Sequence, residues 1–235
     1  MITVCNTELL TKEQYDAPHP NPENSYGETY GKHREYLEFT KEQHGELQEY
    51  CKKFDTEYIS SVWDLTSAKE ITALKPNYIK IPSACNNNFD MLEWLCENFS
   101  GEIQISFGMT THEEEREIVE LFEKNGRNKD LTIFCCTSGY PVPMKDVCLL
   151  EITRLRDLYK ERVKRIGFSG HHNGIAIDIA ALTLGAEVFE RHYTLDRTWK
   201  GTDHAASLEP DGVRRLKRNL AQTYEALTYK EEEIL

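Results

Sequence analysis

The stretch 165–210 limits what this chain can fold into more than any other part of it. A short apolar run, residues 165–168, stops at Ser169-Gly170-His171-His172. An amphipathic run follows over 174–184, with Ile175, Ile179, Leu182 and Leu184 near helical spacing and Gly185 as a C-terminal stop. A second apolar run, 187–189, leads into Glu190-Arg191-His192. The pattern predicts strand, helix and strand, with a histidine just past the end of each strand. In parallel α/β sheets, sites assemble at the C-terminal strand ends. Neighbouring parallel strands lie about 4.8 Å apart, so His171 and His192 are placed to reach one metal ion. Asp203 and His204 follow on the next loop.

The rest of the chain repeats this alternation. Helices are expected over 40–54, 65–74, 89–98, 111–124, 150–159 and 211–229, with strands over 57–61, 78–81, 102–106 and 131–136. Thr40 with Gln43 forms a capping box, and Thr111 caps its helix with acidic residues at the positive end. At roughly 30 residues per unit, six such strands suit a (β/α)8 TIM barrel. A doubly wound open sheet is the alternative, weakened because no glycine-rich dinucleotide fingerprint follows any strand. Residues 6–35 carry Pro18, Pro20 and Pro22 with Asn21, Asn24 and Gly27, which predicts an irregular loop. Its tyrosines 15, 26, 30 and 36 are expected to pack on the body.

Composition excludes several classes. A formal charge of −12 argues against a nucleic-acid surface. No apolar run approaches the roughly 20 residues of a membrane helix, and the first five residues are too short for a signal peptide. Seven scattered cysteines, with Cys135 and Cys136 adjacent in an apolar run, read as reduced thiols of a cytoplasmic protein. Inside a barrel, the strand lysine Lys80 calls for an anion. Ser61, Ser83, Ser106, Ser138 and Ser169 all fall at strand ends. Each alone reads as a cap or turn residue, but five on one rim resemble a cradle of neutral donors for phosphate and carboxylate oxygens.

The strings GFSGHHNGIAI, ERHYTLDRTWKGTDHAASLEP and SYGETYGKHREYLEF resemble the sialic acid (N-acetylneuraminate) synthase family, which condenses phosphoenolpyruvate with an N-acetylhexosamine. The resemblance implies a TIM-barrel transferase domain over 1–235, with a long loop over 1–39, βα units over 40–229 and a tail at 230–235. It implies that Lys80 and Ser83, with Ser61, Ser106, Ser138 and Ser169, bind phosphoenolpyruvate. Tyr140 and Asp203 are then expected near the sugar. His171, His192 and Asp203 become the catalytic set, the two histidines holding Mn²⁺, or Mg²⁺ or Co²⁺, with His172 as a supporting donor.

This sequence also departs from the family pattern. Cys85 stands where an acidic residue is usual, and Phe107 replaces a hydroxyl residue. A first βαβ segment, with a glutamate and a lysine of the site, and a C-terminal antifreeze-like domain are not found in it. The barrel is therefore expected to be incomplete, with about six strands. Two function classes follow: a synthase of N-acetylmannosamine or a related sugar, free or 6-phosphorylated, and a non-catalytic remnant or complementing subunit. Two surfaces are then left bare, so a homo-oligomer (dimer), or a complex with a chain supplying the missing strands, is the expected assembly; no nucleic-acid or membrane partner is expected.

Overall fold

The computed structural model describes residues 2–4 and 10–231. Its strands form one sheet in chain order, and every neighbouring pair is parallel. A short strand that hydropathy did not reveal, β1 (Ile2–Val4), comes first and pairs with the next strand at Thr3↔Ser61. The six expected strands follow: β2 (Ile59–Val62), β3 (Tyr78–Ile81), β4 (Glu102–Ser106), β5 (Leu131–Cys136), β6 (Arg165–Gly170) and β7 (Val188–Arg191).

The sheet curls. Tyr58 and Ile59, at the start of β2, line one cavity with Val188 and Phe189 of β7. In a flat sheet, five strand spacings would hold them about 24 Å apart. The arc is part of a barrel, and among the described residues β1 and β7 do not pair with each other.

Alternation along the strands separates two faces. Ile79, Ile81, Ile103, Ile105 and Ile133 are fully buried in the apolar core, with Met91, Leu92 and Leu95 of one helix and Ile118, Val119 and Phe122 of the next. The alternate positions carry polar groups that satisfy one another. Glu102 Oε1 accepts from Gln104 Nε2 at 3.1 Å and from Thr132 Oγ1 at 2.8 Å, while Lys164 and Arg165 pair with Oε2. Burial alone would raise the Glu102 carboxyl. The bonds from Lys164, Thr132 and Gln104 and the charge of Arg165 outweigh burial and hold it below its usual range.

The helices start where their caps predict. Thr40 and Gln43 make the reciprocal capping box of the helix Lys41–Lys52, and Thr111 and Glu114 that of the helix His112–Lys124. The helix Ala176–Thr183 stops before Gly185, whose φ of +106° suits a residue without a side chain. The long loop expected up to residue 39 needs correction. It contains α1 (Lys12–Asp16), opened by a Thr11–Gln14 capping box, and α2 (Tyr30–Leu37), capped by Thr29. The prolines that mark irregular chain lie between these two helices. Cys5, residues 6–9 of the loop and 232–235 of the tail lie outside the described residues. The six described cysteines are free, and no helix among the described residues is long and apolar enough to cross a membrane.

Candidate active site

A cavity of about 600 Å³ opens at the C-terminal ends of the strands, and every substrate- and metal-site residue expected from the sequence lines it, His172 alone standing behind it. β6 ends at Gly170 and β7 at Arg191, so His171 and His192 are each the first residue past a strand. These strands are paired neighbours, which brings the two imidazole centroids to 5.1 Å. The Tyr140 ring packs edge-on against both, at 4.5 Å from His171 and 5.4 Å from His192. Burial, with a contribution from Asp203, pushes the Tyr140 phenol upward, so it remains a neutral donor. Asp203 is half exposed, with Oδ2 3.5 Å from His192 Nδ1.

The histidine pair fits a metal ion. His171 Nδ1 lies 3.1 Å from Thr137 O, a contact that assigns the proton to Nδ1 and leaves the Nε2 lone pair free. Burial, helped by His192, lowers the His171 imidazole to about 4, and burial lowers His192 as well. Both rings are thus neutral near pH 7, as metal ligation requires. Among the described residues, no three His, Cys, Asp or Glu side chains form a ligand set. Two imidazoles, with oxygen ligands filling the remaining positions, would be a donor set suited to Mn²⁺.

His172 supports this pair from behind. It is fully buried, its ring stacks on Phe168, and its Nε2 lies 3.2 Å from Asp178 Oδ2. Arg191 closes the cluster. Its Nη1 pairs with Asp178 and donates to Gly174 O at 2.9 Å, and its Nη2 donates to His172 O at 2.7 Å. Because Arg191 precedes His192 and His172 follows His171, one guanidinium ties together the two backbone segments that carry the rings.

A second part of the cavity is built on Lys80, which is 1% exposed. Its ammonium donates to Ser106 Oγ and to Ile81 O at 3.1 Å, and lies 3.8 Å from Glu190 Oε2. Ser169 Oγ donates to Glu190 Oε1 at 2.8 Å. Ser83 Oγ accepts from Gly108 N at 3.0 Å. A Cβ on Gly108 would stand 2.7 Å from both Ser83 Oγ and Ser138 Oγ, so only glycine lets these hydroxyls converge. Ser61 is the register partner of Lys80 and lines the same cavity.

Several lining residues escaped the sequence reading. Glu190 was noted only as part of the strand end. His19, Tyr30, His33 and Arg34 come from the segment expected to be a loop, and Trp63 follows β2. Tyr30 thus faces the cavity, whereas Tyr26 and Tyr36 stack on each other at 4.9 Å. The segment is latched across the mouth: Tyr26 OH donates to Lys200 O, and Gly201 N donates to Asn24 Oδ1 at 3.1 Å. The two departures from the family pattern leave the cavity clear. Phe107 packs into the core, and Cys85 donates to Val62 O at 3.5 Å.

The sequence matches the profile of the NeuB family over residues 3–232. It is 39% identical over 194 residues to the N-acetylneuraminate-9-phosphate synthase of Drosophila melanogaster, covering 83% of this chain and 51% of that protein. Against the Homo sapiens protein of the same name it is 36% identical over 212 residues, covering 90% and 58%. The chain spans about half the length of these curated relatives. The solved N-acetylneuraminic acid synthetase of Leptospira borgpetersenii serovar Hardjo-bovis, in complex with citrate, matches with a TM-score of 0.79 at 26% identity, over 89% of this chain and 72% of that one. With the profile match running almost end to end and the fold agreeing, the chain belongs to the NeuB family.

Proposed function

We propose that this cavity binds phosphoenolpyruvate and an open-chain N-acetylhexosamine and joins them into a nonulosonate, releasing phosphate. The observation that carries the reading is the convergence of two different subsites in one cavity: the Lys80 and serine cradle, and the paired neutral imidazoles. Lys80 and the hydroxyls of Ser61, Ser83, Ser106, Ser138 and Ser169 hold the phosphate and carboxylate. Tyr140 and Asp203 orient the sugar beside His171 and His192. His171 and His192 would hold a divalent ion, Mn²⁺ or alternatively Mg²⁺ or Co²⁺, which when bound would supply Lewis acidity at the sugar's aldehyde.

The enol double bond gives its electron pair from C3 to the aldehyde carbon, forming the new carbon–carbon bond, and the aldehyde oxygen takes a proton. The cationic C2 takes water, which loses a proton. The bond from C2 to the phosphate oxygen then breaks as the C2 hydroxyl gives up its remaining proton to the departing phosphate, leaving a ketone and inorganic phosphate. Neutral His171 and His192 remain available as ligands throughout, and the buried clamp of Arg191, Asp178 and His172 keeps them in place.

N-acetylmannosamine is the first sugar to test, and its 6-phosphate the second. Three carbons from phosphoenolpyruvate turn sugar C6 into product C9, in keeping with the 9-phosphate in the names of the fly and human relatives. The free thiols suit a reducing, cytoplasmic setting. The test is incubation with phosphoenolpyruvate, Mn²⁺ and each sugar, with products identified by mass spectrometry. Equal amounts of phosphate and nonulosonate support the reading; phosphate without a sugar-derived product contradicts it.

A second reading, a complementing subunit, draws support from the outer edges of β1 and β7, which carry no strand among the described residues. Phosphoenolpyruvate and Mn²⁺ binding without turnover by this chain, and turnover once a strand-supplying partner is added, would favour it.

A further inference from the structure

We propose that Arg34 is a second cation for phosphoenolpyruvate, acting beside Lys80 with the indole N–H of Trp63 as its companion donor. The inference rests on the reading above that phosphoenolpyruvate binds in this cavity.

The argument begins with charge. A phosphate ester carries about −1.5 to −2 near pH 7, and the carboxylate adds another negative charge. Three Lys or Arg residues among the described residues line the cavity: Arg34, Lys80 and Arg191. Arg191 is committed to Asp178, His172 and Gly174. Lys80 faces Glu190, which offsets part of its charge. Arg34 is ion-paired with Glu38, and it is the cation with donors to spare. Its guanidinium makes one hydrogen bond among the described residues, from Nη2 to Glu38, out of five N–H donors available to an arginine.

Geometry places Arg34 at the same corner as the Lys80 cradle. Its Cζ lies 5.7 Å from the Trp63 ring centroid. Trp63 is two residues beyond Ser61, the register partner of Lys80. Both side chains also lack something. Arg34 Nε and Trp63 Nε1 are buried, and neither has an acceptor among the described residues. A buried unpaired donor costs about 1–3 kcal/mol, more when charged, so two at one edge of a cavity mark a place for oxygen acceptors. His33 adds a neutral donor rather than a charge. Its Nδ1 accepts from Tyr26 N at 3.1 Å, leaving Nε2 to carry the proton. Burial and the charges of His19, Arg34 and Lys200 lower its imidazole.

The test is calorimetric titration of phosphoenolpyruvate into the full 235-residue chain, as wild type and as Arg34→Met, Arg34→Lys and Trp63→Phe, at low and high salt. Arg34→Met is expected to weaken binding roughly ten- to a hundredfold and to make the affinity less salt-dependent, which a purely structural role would not do. Arg34→Lys should keep the salt dependence and lose part of the affinity. Trp63→Phe, which removes the donor and keeps a ring, should weaken binding several-fold. If Arg34→Met does not fold, the other two variants carry the test. Wild-type affinity and salt dependence in all folded variants would overturn this inference alone. No binding by the wild-type chain would overturn the reading of the site itself.

Discussion

Asp178 has no exposure to solvent, and the guanidinium of Arg191 is its counter-charge. Removing one partner of a buried pair strands the other, at a typical cost of about 3–5 kcal/mol. Arg191→Ala should therefore lower unfolding stability in urea by about that amount. It should also weaken Mn²⁺ binding, because the loops bearing His171 and His192 lose their tie. Arg191→Lys keeps the charge without the fork and should recover only part of both. An Arg191→Ala chain as stable as wild type would remove the clamp from the account. His171 supplies a pH test. The unfolded imidazole takes its proton near 6.5 and the folded one only near 4, so between these values the unfolded state holds more protons. Stability must then fall as pH drops from about 6.5 toward 4, with His33, His44 and His192 acting in the same direction. His171→Gln should flatten this dependence in thermal melts; an unchanged slope would count against the buried neutral ring.

At the scale of elements, the strand ends do the positioning. Gly108, just past β4, sits where a methyl would meet Ser83 Oγ and Ser138 Oγ at 2.7 Å and Cys136 Sγ at 3.2 Å. Overpacking of this kind costs about 1–3 kcal/mol. Gly108→Ala should weaken phosphoenolpyruvate binding by calorimetry and leave Mn²⁺ binding intact. Equal loss of both would mean that the loop, not the cradle, had moved. The placement of Lys80 and the five serines on one rim was legible in the sequence because each lies in or just past a short apolar run that reads as a strand. The histidine pair was legible for the same reason. β1 was not, because three residues hold no periodicity and its pairing partners lie more than fifty positions away. α1 and α2 were hidden by the prolines between them, although Thr11 with Gln14 carried a readable start signal. Arg34 and Trp63 meet only in three dimensions, so no spacing announces them.

For the whole molecule, the open arc is the central physical fact. β7 has an unpaired outer edge among the described residues, and Val188 and Phe189, which line the cavity between β2 and β7, are only half-buried. Unpaired edges and uncovered apolar surface find partners. Sedimentation equilibrium should show self-association that grows with concentration; a monomer at the highest attainable concentration would contradict this. The arc still brings β6 and β7 side by side, and the account depends most on what stands at their ends. The direct measurement is Mn²⁺ titrated into the 235-residue chain, followed by calorimetry and electron paramagnetic resonance, with His171→Ala and His192→Ala alongside. The account predicts one bound ion per chain, lost in each single variant while the fold survives. Wild-type Mn²⁺ binding in both variants would contradict it.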